Sequence, residues 1–572
     1  MKASRASLVA FLVVLAVGTG LRAYQIGAEC FDGDELYAVR IQGIGPKAVA
    51  AVMVRDSFHG VHPPLMSVPF LAWTALFGTA EAAVRGLPLL AGTVALAAVY
   101  AFGCALGRPR AGLFGAALLA MNPLHITYSM EARSYALVTA LLAVAQLLFV
   151  LVLQRNTRAL VLAYFAVAWW SASTHYFAVP VLIGQAAAAA WLVRAPGPQR
   201  PPAARLLLAV ALAGLPYLAW LPAIHSQTRE TSDYLAPLTP AAFAASLADA
   251  LALGGWGSEA GLALSVAALG LAAAGAWAAT RVRVAVIATG SQLLPRWLAP
   301  AMLAIGSAGG IGFVSLFPSL FEPTARQTLT DYGYGDAVID AEIGSLWLMV
   351  LLGFGCIAIA GTVLAGWRRW EPGLRGARGG GEASVGVVLA FFLIAPVAAI
   401  ALVGASGVAF HQTRNLIVLL PAVSVAWGFA LDRMARTIPG SIAALVVVAG
   451  MVFAAAQYHA VARVVGRDGP RLGMSTIDWR GVHANLRDRA PAGAAVVMVN
   501  RPATDPGLYY LAAFEPMRIA PGAPATTLPE RVAFVHMVAN PFSDAAREQV
   551  AVARGPLALL ASGDGWELHA TR

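Results

Sequence analysis

Long apolar runs alternate with short polar stretches over about the first 460 residues of the chain. A helix needs about 20 mostly apolar residues to cross a hydrocarbon core of roughly 30 Å. The runs that reach or approach this length are 7–24, 86–106, 111–124, 134–153, 158–174, 177–193, 205–223, 260–279, 297–318, 343–366, 385–405, 414–432 and 440–461. The pattern therefore predicts an all-α polytopic membrane protein with about thirteen transmembrane helices.

A further apolar segment at 63–78 is short and contains Pro63, Pro64 and Pro69, which interrupt helical hydrogen bonding. If this segment does not span, all the Arg-rich loops lie on the side of the N-terminus, as the positive-inside rule requires. We therefore expect a cytoplasmic N-terminus, with 63–78 in the outer interface or re-entering it. The stretches expected on the outer face are 25–85, 125–133, 224–259, 319–342, 406–413 and the tail from about 463.

The composition agrees with a membrane protein. Apolar residues make up 59% and charged residues 12% of the chain, against roughly 45–50% and about 25% in soluble proteins. These values exclude a soluble enzyme, a disordered chain and a coiled coil. The net charge of +10 comes from short basic clusters between apolar runs, so it indicates topology and not a nucleic-acid partner. The three scattered cysteines indicate neither a disulfide framework nor a zinc site.

The composition changes in the tail, which is more polar. A helix-like stretch begins at Asp478, apolar β-type runs follow at Ala494–Val499 and Val532–Val538, and a last pair flanks the turn 562–565. The tail is therefore predicted to be a small soluble extracytoplasmic α/β domain of about 100 residues. The predicted domains are 1–462, which carries the membrane spans, and 463–572.

Candidate chemistry is concentrated at the predicted outer ends of the spans. Three carboxylates lie close together in the loop after the first span. They are Asp32, Asp34 and Glu35. Carboxylates this close repel one another unless they bind a metal, act as a base or meet a basic partner, although a solvated acidic turn is the simpler alternative. His59 and His62 have a spacing that could suit a metal, but capping or packing of the proline-rich turn is the favoured explanation.

Several charged residues lie where the chain enters the membrane. Glu131 and Arg133 precede one span, Arg85 precedes another, and Arg414 begins a third. Charge is costly at such depths and usually faces a cavity or marks a functional site. The planar guanidinium of arginine suits phosphate oxygens. Structural pairing or membrane anchoring is the alternative for each of them.

Taken in order, these motifs resemble one family. They are Asp34-Glu35, His62-Pro63-Pro64-Leu65, Val84-Arg85-Gly86-Leu87-Pro88, and the sequence Asn-Pro-x-His followed by Ser-x-Glu-Ala-Arg-Ser-Tyr over 122–135. The chain resembles membrane glycosyltransferases of the GT-C fold in family 39, the group of protein O-mannosyltransferases and lipid A aminoarabinose transferases. The resemblance covers roughly residues 1–180. It continues loosely to 414–421, where Asn415 replaces a tyrosine that is frequent in the family.

The resemblance implies transfer of one sugar, with inversion, from a polyprenyl-phosphate donor. The acceptor would be a lipid, a glycan or a protein at the outer face of the cytoplasmic (inner) membrane. By motif match the catalytic residues are Asp34, as general base, with Glu35 and Glu131. The implied substrate-binding residues are Arg85, Arg133, Arg414, His62 and Tyr135. Metal use varies among such enzymes, so a divalent ion stays an open option and no other cofactor is implied.

Two other functions are compatible with a polytopic membrane protein. A lipid-linked sugar transporter or flippase often has inverted repeats and charges near the midplane, whereas this chain has no evident repeat. An O-antigen ligase or polymerase would place its key Arg and His in a large late outer loop. The only such loop, 319–342, contains Arg326, Asp331, Asp336 and Asp340 but no histidine.

The topology is tested with reporter fusions at residues 200, 375 and 470. We expect cytoplasmic signals at the first two positions and an extracytoplasmic signal at the third, because the Arg-rich loops stay inside. A cytoplasmic signal at 470 would contradict this topology.

Overall fold

The computed structural model describes most of the chain. The described residues are 5–24, 26–39, 47–49, 51–53, 62–195, 197–231, 259–284, 298–316, 322–331, 384–405, 413–437, 477–499, 510–519, 531–537, 541–554, 556–563 and 566–571, with short stretches of 243–251 and 319–359. The fold comprises two compact units. The first contains Met1–Tyr24, Ile41–Leu76 and Gly86–Ala455, and the second contains Gln25–Arg40, Phe77–Arg85 and Ala456–Arg572. The predicted boundary at 462/463 stays a prediction.

The described part of the chain up to residue 437 is mostly helical. Its helices are α1 (Arg5–Ala23), α2 (Val68–Phe77), α3 (Glu81–Ala105), α4 (Pro109–Met121), α5 (Pro123–Tyr128), α6 (Ser134–Arg155), α7 (Arg158–Thr174), α8 (Ala178–Arg194), α9 (Arg200–Thr231), α10 (Glu259–Ala279), α11 (Leu298–Leu316), α12 (Glu322–Asp331), α13 (Val385–Ala405) and α14 (Leu420–Thr437). Short 3-10 helices lie at Glu35–Ala38 and Thr413–Leu419. The apolar runs that lie within the described residues therefore became helices, as expected.

Six stretches among the described residues are long and apolar enough to cross a membrane. They are Arg5–Ala23, Glu81–Ala105, Ser134–Arg155, Arg200–Leu218, Val385–Leu402 and Arg414–Arg436. Shorter apolar helices include Pro109–Met121 and Ala178–Arg194. The predicted run 440–461 and the end of 343–366 lie outside the described residues, so the total of about thirteen spans stays a prediction. The ambiguous segment 63–78 contains only the ten-residue helix α2.

Small residues allow the helices of the first unit to pack closely. A Cβ on Gly428 of α14 would collide with the carbonyl oxygen of Ala111 in α4, and Gly103 of α3 lies directly against Gly112 of α4. Small residues at such crossings let helix backbones approach and pack by van der Waals contact, which is the main attraction between helices in lipid. By contrast, α1 leaves Leu8, Val9 and Val13 exposed, as a lipid-facing surface would.

The described residues of the C-terminal part of the second unit form a five-stranded sheet with helices. Its strands are β1 (Ala495–Val499), β2 (Met517–Ile519), β3 (Val532–Met537), β4 (Leu557–Gly563) and β5 (Trp566–Thr571), in the order β2-β1-β3-β5-β4. The pairs β1–β2 and β1–β3 are parallel, and β3–β5 and β4–β5 are antiparallel. The helices are α15 (Trp479–Arg489) and α16 (Pro541–Arg554).

The predicted fold class is confirmed: a mostly helical membrane protein with a small C-terminal α/β region. The helix expected at Asp478 begins there, because the Asp478 carboxylate accepts the backbone N–H of Gly481 at 3.0 Å. Strand β2 and helix α16 were not predicted from the sequence. Strand β2 has only three residues, which is too short for a periodic pattern to identify.

Candidate active site

The acidic loop after α1 is a folded turn. The backbone N–H of Glu35 donates to the Asp32 carboxylate at 2.8 Å, and the Glu35 carboxylate accepts the N–H of Asp32 at 3.2 Å. This reciprocal pair is the arrangement of a capping box, which fixes the start of a helical turn. Asp34 lies between them and is half-buried.

The Glu35 carboxylate forms a buried bidentate pair with Arg85. The Arg85 Nε and Nη2 donate to its two oxygens at 2.8 and 2.6 Å. Both side chains are about 1% exposed, so water does not solvate either charge. Burying two charges is costly, and only excellent geometry with further hydrogen bonds offsets that cost.

The Arg85 guanidinium also holds the backbone of the preceding loop. It donates to the carbonyl oxygens of Ile26 and Glu29 at 2.9 Å and of Cys30 at 3.1 Å. Together with the Glu35 pair, these bonds use all five N–H donors of arginine. In this structure Arg85 binds protein oxygens, so its predicted contact with substrate and the catalytic role of Glu35 stay predictions.

Residues of the C-terminal region hold the same loop within the second unit. The Tyr510 hydroxyl accepts the N–H of Phe31 at 2.8 Å and donates to the Glu81 carboxylate at 2.8 Å. Arg480 donates to the carbonyl oxygen of Ala28 at 2.5 Å. The Cys30 side chain belongs to the same hydrophobic cluster as the sheet. The turn that carries Asp34 is therefore built together with the C-terminal domain.

The second predicted outer loop, in the first unit, is fixed by a buried arginine and histidine. The side-chain oxygen Oδ1 of Asn122 caps α5 by accepting the N–H of His125 at 2.9 Å, and Pro123 begins that helix. Arg22 of α1 contacts His125 Nδ1 at 2.6 Å and donates to the carbonyl oxygens of Leu119 and Ala120, which end α4. The Asn-Pro-x-His motif is thus a helix connection held from α1.

A cluster of cations and aromatic rings follows this loop. The guanidinium carbons of Arg133 and Arg414 lie 5.3 and 5.6 Å from the centre of the Tyr135 ring. Cations at this distance from an aromatic face are attracted by its quadrupole. Two of the three arginines predicted to bind phosphate therefore converge on Tyr135, which was also predicted as a substrate-binding residue. Glu131, two residues before Arg133, is buried.

His175 belongs to this cluster and was missed in the sequence. Its ring lies 5.1 Å from the Tyr135 ring and 6.1 Å from that of His62. Its Nδ1 accepts the N–H of Phe177 at 3.2 Å, so the neutral ring carries its proton on Nε2. Burial lowers the pKa of His175 well below its usual range, and the nearby positive charges lower the pKa further. An ionisable residue between two apolar runs was the signal that could have identified it.

Tyr128 completes the cluster, with its ring 4.7 Å from that of Tyr135. Burial raises the pKa of Tyr128, and the negative charge of Glu131 raises it further. The phenol therefore stays protonated at neutral pH and can donate a hydrogen bond.

An apolar cavity of about 250 Å³ also lies in the first unit. Its walls are almost entirely hydrocarbon, and they include Met53, Trp169, Ser173, Tyr217 and Phe354. The Tyr217 hydroxyl donates to Ser173 Oγ at 2.9 Å. Ser173 precedes His175 by two residues. The cavity wall is therefore adjacent in sequence to the cluster of cations and aromatic rings.

Residues 61–220 match the family model described as dolichyl-phosphate-mannose-protein mannosyltransferase. The predicted resemblance to GT-C glycosyltransferases of family 39 is confirmed over this segment. The segment contains Glu131, Arg133, Tyr135, His62 and His175, whereas Arg414 and the acidic loop lie outside it. No curated protein matches the chain.

Two solved membrane proteins resemble the chain weakly. The structure of ArnT from Cupriavidus metallidurans bound to undecaprenyl phosphate shares 11% identity, with a TM-score of 0.36, over 100% of this chain and 99% of ArnT. The Archaeoglobus fulgidus oligosaccharyltransferase in complex with Zn and sulfate shares 14% identity, with a TM-score of 0.38, over 89% of this chain and 62% of that one.

The Glu35–Arg85 pair yields a stability prediction. Glu35→Gln leaves the Arg85 charge buried without its carboxylate, and breaking such a pair costs about 3–5 kcal/mol. We expect a clearly lower unfolding temperature for this variant in detergent. Asp488→Asn is the control, because its partner Arg487 and Asp488 itself are exposed on α15 in the same unit. Equal unfolding temperatures for the two variants would show that the buried pair does not hold the loop.

Proposed function

We propose that this protein is a membrane glycosyltransferase that moves one sugar from a polyprenyl-phosphate donor to a lipid, glycan or protein acceptor. The reaction takes place at the outer face of the cytoplasmic membrane and inverts the anomeric carbon. The family match over residues 61–220 supports the reaction class. The observation that carries the proposal is the convergence of Arg133 and Arg414 on Tyr135 within a helical membrane protein.

The donor has a charged phosphate and a long hydrocarbon chain, and both find matching chemistry in the first unit. Two guanidinium groups provide planar donors for phosphate oxygens, to which arginine binds in bidentate geometry. The apolar cavity lined by Trp169 and Phe354 provides hydrocarbon contact for an isoprenoid chain. His175 and Tyr128 keep protons at neutral pH and add neutral hydrogen-bond donors.

Asp34 is proposed as the general base. The acceptor hydroxyl oxygen forms a bond to the anomeric carbon while the bond from that carbon to the phosphate oxygen breaks. The hydroxyl proton passes to the Asp34 carboxylate, and the polyprenyl phosphate leaves with the bonding electron pair. A phosphate needs little help in leaving, so one protein base suffices. Glu35, paired with Arg85, is proposed to hold the turn that presents Asp34.

The arginine assignment is tested by binding of undecaprenyl phosphate to the purified full-length protein. A charge-assisted hydrogen bond contributes about 1.5–3 kcal/mol, so Arg133→Ala and Arg414→Ala should each weaken binding about tenfold or more. Arg281→Ala is a matched control, because Arg281 also stacks on an aromatic ring, that of Trp277 at 4.7 Å, but is exposed. Unchanged affinity in both Arg133→Ala and Arg414→Ala would remove the phosphate site from this cluster.

The base assignment is tested in cells and then in extracts. The product is first defined as the sugar missing from envelope glycolipids and glycoproteins of a deletion strain by mass spectrometry. Asp34→Asn should reduce the rate at which the glycosylated product forms about 10²–10⁴-fold, because the asparagine amide cannot accept the proton of the acceptor hydroxyl. Binding of undecaprenyl phosphate should be unchanged.

Asp32→Asn is the control for this experiment. The amide oxygen of asparagine can still accept the N–H of Glu35, so this variant should keep most of the activity. Near-normal activity of Asp34→Asn, together with loss of activity in Asp32→Asn or Glu131→Gln, would identify a different carboxylate as the base.

A further inference from the structure

Three side chains converge on the sheet of the C-terminal region, away from the acidic loop. His536 on β3 stands directly opposite Glu567 on β5 in the antiparallel register. His569 lies two residues beyond Glu567, so both of these side chains project from the same face of β5. His536 and His569 are buried, and Glu567 is partly exposed. Among the described residues, this is the one group of three His, Cys, Asp or Glu side chains with converging ligand atoms.

The ligand atoms are close enough for one metal ion. Oε2 of Glu567 lies 3.1 Å from His536 Nδ1 and 2.9 Å from His569 Nε2. The three ligand atoms all lie within 4.8 Å of one another. Zinc–nitrogen and zinc–oxygen bonds of about 2.0–2.1 Å in a tetrahedron place ligand atoms roughly 3.3 Å apart. The distances from Glu567 Oε2 to the two histidine nitrogens therefore need to lengthen by only a few tenths of an ångström to reach that spacing.

A carboxylate from α16 supports this reading. Asp544 Oδ1 lies 2.9 Å from Nε2 of His536, the ring nitrogen that does not face Glu567. Histidines that bind metals usually donate their second ring N–H to such a carboxylate, which fixes the tautomer and leaves the other nitrogen unprotonated. In that tautomer Nδ1 of His536 and the Glu567 oxygen that it faces are both acceptors, with no proton between them. A cation bound between these two atoms would remove their mutual repulsion.

Arg547 of α16 is a further charged neighbour among the described residues. Its Nη1 lies 3.4 Å from Oε2 of Glu567, and its Nη2 lies 3.7 Å from Asp544 Oδ1. With a divalent ion in place, this guanidinium balances the carboxylate of Asp544, which does not bind the metal. Shared protons on the two imidazoles are the competing explanation of the same distances.

We propose that His536, Glu567 and His569 bind one divalent metal ion of borderline softness, with zinc as the best fit and water as the fourth ligand. Imidazole and carboxylate ligands suit zinc, and the partial exposure of Glu567 admits the water. The ion ties β3 to β5, and through Asp544 it ties both to α16. This site is independent of the proposed sugar transfer.

The test uses full-length protein in detergent, purified with a tag that contains no histidine and stripped with a chelator. Zinc chloride is titrated by calorimetry, and bound zinc is counted by mass spectrometry after desalting. We expect one equivalent in the unsubstituted protein and its loss in His569→Ala. His483→Ala should retain the equivalent, since His483 lies in the same unit and stacks on Phe514 instead. Cobalt(II) should give the visible absorption of a tetrahedral site.

A second variant keeps the test decisive if His569→Ala does not fold. Asp544→Asn leaves all three ligands in place and should weaken zinc binding about 10–100-fold, as loss of an orienting carboxylate does. The proposal is overturned if the unsubstituted protein binds no stoichiometric zinc. A second result also overturns it: folded His569→Ala keeps the bound zinc, and Asp544→Asn binds zinc as tightly as the unsubstituted protein. In that case protons, and not a metal, bridge the side chains of the cluster.

Discussion

The buried pair of Glu35 and Arg85 is the interaction on which the acidic loop depends. A carboxylate and a guanidinium that are both removed from water are stable only when almost every hydrogen-bonding group has a partner. Here the guanidinium reaches both carboxylate oxygens and three backbone carbonyls of the loop. One side chain therefore fixes the path of residues 26–35. Tyr510 and Arg480 add contacts from the C-terminal region, which explains why this loop belongs to the second unit.

In the first unit, a buried arginine also needs hydrogen-bond partners, and it finds them in other groups. Arg22 lies at the end of α1 and donates to the carbonyl oxygens of Leu119 and Ala120 in the last turn of α4, and it also contacts His125. Positive side chains at a helix C-terminus complement its exposed carbonyls. Arg133 and Arg414 instead lie against the ring of Tyr135. The arginines at helix ends therefore differ: Arg22 donates to backbone carbonyl oxygens, whereas the pair on Tyr135 brings two positive charges to one place.

The sequence predicted the secondary-structure elements better than it predicted which side chains contact one another. Runs such as 158–174 and 385–405 became α7 and α13 because an apolar stretch of that length has one low-energy form in lipid. Strands β1 and β3 followed from their apolar β-branched runs. The carboxylate partner of Arg85 lies 50 residues away in sequence, and no local pattern shows which oxygen an arginine will bind. His175 and the cluster of His536, Glu567 and His569 were missed for the same reason, since strand register and helix packing bring each of them to its neighbours.

The adjacent residues Asp34 and Glu35 show how environment divides roles between like groups. In sequence the two carboxylates are equivalent candidates for a base. In the structure Glu35 is buried and bonded to Arg85 through both oxygens, whereas Asp34 is half-buried at the start of the 3-10 turn. A carboxylate held by a cation at two points is a poor proton acceptor, because protonation would break the pair that keeps the arginine charge compensated. Neighbouring acids in different surroundings take different functions, and here the buried one supports the turn that holds the other.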